Sequence, residues 1–92
     1  MSITPVGHCF VSREEWPEYC RISTDIPVGS DYDTFANAVQ KFGDEVVARG
    51  GRFIKIGVKP ADILSWCQAR GRQIDASARA DYAAARLLDL DK

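Results

Sequence analysis

Gly50-Gly51-Arg52-Phe53-Ile54-Lys55-Ile56-Gly57-Val58-Lys59-Pro60 decides how the rest of the chain is read. The two glycines stop the preceding segment, because helix ends favour a left-handed residue that only glycine adopts without cost. Strict alternation follows, with Ile54, Ile56 and Val58 on one side and Phe53, Lys55 and Gly57 on the other. That is the period of a strand. Pro60 then opens a helix, at the first position, where its missing N–H does no harm.

Upstream, Tyr32, Phe35, Val39, Phe42 and Val46 recur at spacings of three and four, so a long amphipathic helix is expected, capped by Ser30 or Asp31 and ended by Gly50. Gly43 falls off that stripe. Ser23 to Ser30 reads as a loop punctuated by Pro27 and Gly29, with Ile26 and Val28 anchored on the core. Ser12 and Glu15 form a capping-box pattern for a short helix over about Arg13 to Ile22, whose start Pro17 disturbs. Trp16, Tyr19 and Cys20 share one side of it. His8 to Val11 is a short apolar strand.

Downstream, the helix from Pro60 buries Ile63, Leu64, Trp66 and Cys67 and stops at Gly71. Asp75 caps a last helix to about Leu88. Ala76, Ala80, Ala83, Leu87 and Leu90 make one stripe on it, and Asp75, Arg79, Tyr82, Arg86 and Asp89 another. The order is β-α-α-β-α-α: a small α+β domain with two short strands packed on helices, the alternative being a mostly helical chain. Strands separated by so long a crossover could pair in parallel, with helices covering one face, and the sequence leaves their direction open. At 92 residues, positions 1–92 form a single compact domain.

The composition, 46% hydrophobic and 27% charged, is that of a globular protein and excludes disorder. Twelve Lys and Arg stand against thirteen Asp and Glu, so the chain as a whole is not a polycation suited to nucleic acid. The charge is nevertheless polarised. Residues 1–51 carry four basic and eight acidic side chains, and residues 52–92 carry eight and five. No apolar run approaches the roughly 18–20 residues of a membrane span. Met1 to Gly7 lacks the basic and apolar regions of a secretory signal, and three cysteines make an odd set, so a cytoplasmic protein with reduced thiols is expected.

No residue set assembles a catalytic centre, so the chain is read as non-enzymatic, with no metal and no cofactor. His8, Cys9, Cys20 and Cys67 offer none of the paired spacings of zinc sites, and adjacent strand residues point to opposite faces. His8 is the only histidine that could activate Cys20 or Cys67, and Cys67 sits on an apolar helix face. Asp25, Asp31 and Asp33 lack the third ligand and the glycine of a calcium loop. Gly50-Gly51 follows a helix and precedes a strand, the reverse of a phosphate loop. Residues 61–84 have a helix-turn-helix outline, but the last helix mixes Arg79 and Arg86 with Asp75, Asp81 and Asp89, which would set carboxylates against phosphates.

The expectation is therefore a small protein-interaction or regulatory module whose partner is another protein or a second copy in a homodimer. Its size and character suit a bacterial accessory or mobile-element gene. The candidate interface comprises Trp16, the turn residues Arg70 and Arg72, and Arg79, Tyr82, Ala83, Arg86 and Leu87 of the last helix, whose alanines permit close approach. The alternative is a nucleic-acid-binding transcriptional regulator using Arg49, Arg52, Lys55, Lys59, Arg70 and Arg72. No membrane partner is expected.

Overall fold

The computed structural model describes residues 5–90. Met1 to Thr4, part of the stretch read above for a secretory signal, and the side chain of Leu90 lie outside the described residues. The elements are β1 (Pro5–Phe10), α1 (Trp16–Ile22), α2 (Tyr32–Ala48), β2 (Arg52–Gly57), α3 (Pro60–Ala69) and α4 (Ala76–Leu90). This is the α+β order expected from the sequence, and β1 pairs with β2 in parallel, Pro5 opposite Arg52 and Phe10 opposite Gly57.

The helix ends follow their local chemistry. Asp31 caps α2, its carboxylate accepting from the Thr34 N–H at 3.0 Å. At the other end Gly50 has φ +85°. Its N–H reaches Val47 O, and the Gly51 N–H reaches Val46 O, a Schellman closure. Gly71 repeats this after α3 at φ +63°, with the Arg72 N–H on Cys67 O. Asp75 receives the Ala78 N–H at 2.9 Å and caps α4. The Ser12–Glu15 contact forms as well, but it closes a turn, and α1 proper starts only at Trp16, beside Pro17.

The two-stranded sheet is covered on both faces, not one. Side chains of a strand alternate, so His8, Phe10, Phe53 and Lys55 meet α2, while Gly7, Cys9, Ile54 and Ile56 meet α4 and the main core. That core joins Cys9, Val11, Ile56 and Val58 to Tyr19, Cys20, Ile63, Cys67, Ile74, Ala78 and Tyr82, all buried. The aromatic cluster of Phe10, Trp16, Tyr32 and Phe35 ties α1 and α2 to β1, with Trp16 stacked on Phe35 at 4.5 Å. Trp16 Nε1 donates to Ser30 O at 2.7 Å and fixes the loop between the helices.

Three further sequence expectations change. Along α2 the buried residues are Val39 and Gly43, while Phe42 is 39% exposed, because the helix meets the sheet along a line shifted toward Gly43. Val28 is 80% exposed and anchors nothing, whereas Ile26 does pack on the core. In α4 the face turned inward is Ala78, Tyr82 and Ala83 with Leu87, which takes Ala83 and Leu87 from one predicted stripe, Tyr82 from the other, and Ala78, which lay on neither.

Candidate functional site

A groove runs along the free edge of β1 between α2 and α4, with a volume of about 490 Å³. Val6, Gly7, His8 and Cys9 form its floor. Ala38, Val39 and Phe42 make the wall on the α2 side, and Ala76, Ala80 and Ala83 make the wall on the α4 side. Its volume is in the range of pockets that hold a ligand or a short peptide, and its walls are apolar.

The hydrogen bonding of β1 gives the floor its polarity. The Val58 N–H donates to Phe10 O, which extends the parallel ladder and sets its phase. In a parallel pair, alternate residues turn both backbone groups toward the partner strand, here Val6, His8 and Phe10. Gly7, Cys9 and Val11 therefore turn theirs outward. Tyr32 Oη donates to Val11 O at 2.8 Å, and His8 Nδ1, in its protonated tautomer, donates to Cys9 O at 2.9 Å. Gly7 N–H, Gly7 C=O and Cys9 N–H find no partner among the described residues.

Among the described residues one charged side chain lines the groove. Arg79 is held bidentate by Asp25, at 2.8 and 2.7 Å, so its charge is already matched. That same hydrogen bond lowers the pKa of Asp25, against a smaller upward push from burial. Beneath Arg79, the Cys9 thiol donates to Arg79 O at 3.2 Å. Burial raises the Cys9 pKa to about 11, the nearby Arg79 charge opposing it only in part. Burial also raises the pKa of Tyr19, Cys20 and Cys67. All three thiols are buried and free. Among the described residues no three His, Cys, Asp or Glu side chains converge as metal ligands.

The residues picked out from the sequence do not form one surface. Trp16, Tyr82 and Ala83 are buried, at 7%, 6% and 1% exposure, so they are core residues. Ala83 and Arg79 do border the groove. Leu87 packs on the core, next to Gly7. Arg70 lies 3.9 Å over the Trp66 ring, which stacks on Tyr82 at 5.5 Å. Arg72 pairs with Asp81 at 2.6 Å, and Arg86 stands 3.9 Å from Asp89. Of the other cations assigned to the nucleic-acid alternative, Lys55 donates to Gln40 and lies over Phe10.

Sequence reasoning missed Gly7, Ala38, Ala76 and Ala80 as groove residues. Ala76 and Ala80 carried a signal, being small residues spaced for close approach, but it was read as room for a helix. Comparison with protein-family models, with curated proteins and with solved structures finds no match. Among the described residues no helix is long and apolar enough to cross a membrane.

Proposed function

We propose that this protein is a small, non-enzymatic interaction module that holds a protein partner in the groove between α2 and α4. The observation that carries the reading is the apolar, roughly 490 Å³ groove in which Arg79, the one charged lining residue among those described, is neutralised by Asp25. A charge-matched apolar cleft gains from burying apolar surface of a partner and has little to offer a phosphate backbone. The free, buried thiols agree with a reducing, cytoplasmic setting. In this reading the interface stays on the alanine stripe of the last helix that the sequence pointed to, since Ala76, Ala80 and Ala83 border the groove, while Trp16, Arg70 and Arg72 fall outside it.

The test is affinity capture with mass spectrometry, run on the wild type and on Ala80→Glu. Ala80 is exposed and lines the groove, so the charge blocks the cleft without entering the core. A partner held stoichiometrically by the wild type and released by the variant is the expected result. Partners shared equally by both proteins would overturn the reading.

A further inference from the structure

We propose that the groove takes an extended, uncharged, predominantly apolar peptide segment, which adds to β1 as a third strand; this rests on the reading of the groove as a protein-binding cleft. The edge of β1 is otherwise systematically covered. Tyr32 occupies Val11 O and His8 occupies Cys9 O, and Cys9 itself is only 2% exposed, so its N–H is out of reach. Gly7 is half-buried, and its N–H and C=O, both turned outward, have no partner among the described residues and stand open on the groove floor. Backbone donors and acceptors inside folded proteins are nearly always paired, and this pair asks for a partner from outside. An extended backbone supplies acceptors and donors at the matching spacing, as in other cases of strand addition.

The walls specify the side chains. Residues of an added strand alternate between the α2 wall, with Ala38 and Phe42, and the α4 wall, with Ala76 and Ala80. Both walls are apolar, so a strand buried on both sides carries apolar residues at successive positions, as parallel core strands do. Since Asp25 already neutralises Arg79, a charged side chain would enter the cleft without a counter-ion. From Val6 to Cys9 the floor accommodates about four residues at roughly 3.3 Å each. A second folded copy is a poor occupant, because its own β1 edge lies between its own α2 and α4.

The experiment selects binders from a phage-displayed library of random linear peptides and synthesises them with N-methyl groups on alternate backbone amides, in both registers. Binding is measured to the wild type, and to Ala80→Glu and Ala76→Glu, two exposed groove positions. A strand points every second amide at β1, so one methylated register is expected to lose at least about tenfold in affinity while the other binds like the parent. Both variants lose binding, and the Gly7 amide proton becomes protected from exchange in the complex. If both registers bind like the parent, or both fail as for a docked helix, strand addition is refuted, while loss in the two groove variants still upholds the binding cleft. If no peptide is retained, or peptides bind the variants as well as the wild type, the cleft reading falls with it.

Discussion

The ring of Phe53 lies so close over Gly43 that a methyl group on the glycine would stand 2.4 Å from Cδ2. This contact sets the distance between α2 and the sheet, and it explains a glycine in the middle of a long helix, where alanine is intrinsically favoured by about 1 kcal/mol. Gly43→Ala is expected to destabilise the fold by roughly 1–3 kcal/mol, reversing the sign that helix propensity predicts. Urea denaturation measures it. Adding Phe53→Leu is expected to recover part of the loss, and additive effects would show that the contact does not set the packing.

The inner line of α2 makes a second expectation. Val39 is 2% exposed and Phe42 39%, so the smaller side chain is the more deeply committed. Val39→Ala is expected to cost roughly 2 kcal/mol. Phe42→Ala, despite removing far more atoms, is expected to cost about the same or less, well short of the roughly 3–5 kcal/mol of a fully buried phenylalanine. Denaturant midpoints of the two variants decide this.

On α4, Ala83 and Ala80 are three residues apart and respond oppositely to charge. Ala83 is 1% exposed, so Ala83→Glu buries a carboxylate without a partner and is expected to unfold the domain. Ala80→Glu is expected to melt within a few degrees of the wild type, since exposed substitutions usually change stability by no more than about 0.5 kcal/mol. Thermal melts by circular dichroism separate the two.

The Asp25–Arg79 pair joins residues 54 positions apart in sequence and predicts an acid response. The pKa of Asp25 is lowered from 3.8 chiefly by its hydrogen bond from Arg79. The unfolded chain therefore binds this proton first, and the contribution is present above about pH 4 and lost as pH falls through the lower folded value. Asp25→Asn is expected to flatten the stability curve on the acid side of pH 4 and leave its shape near neutrality. An unchanged acid limb would remove the pair from the account.

Cys9 predicts the alkaline counterpart. Its pKa is raised from 9.0 to about 11 because burial disfavours the thiolate. The stability tied to the neutral thiol is complete below pH 9 and is lost as pH rises through about 11. At pH 8 in native buffer the three thiols are expected to resist a thiol-specific reagent and to react together in urea. Fast native labelling of Cys9 would contradict its burial.

The sequence alone determined the elements and their order, since those follow from local chemistry. The 3–4 spacing from Tyr32 to Val46, the alternation from Arg52 to Val58 and the glycines at 50 and 71 act within a few residues of themselves. The direction of strand pairing was not legible: a crossover that holds two helices permits a parallel pair, but only the tertiary structure decided it. Which face of each element turned inward was only partly readable. Helix α2 has enough apolar residues to bury either of two neighbouring lines, and contact with Phe53 selected the one through Gly43. Tyr82, which the sequence placed among surface charges, entered the core because Trp66 stacks on its ring. The groove was decided by tertiary structure alone: its floor is a strand edge, its walls come from α2 and α4, and Arg79 is neutralised by the remote Asp25. A free edge depends on which strand lies beside which, and no local pattern in residues 5–10 encodes that.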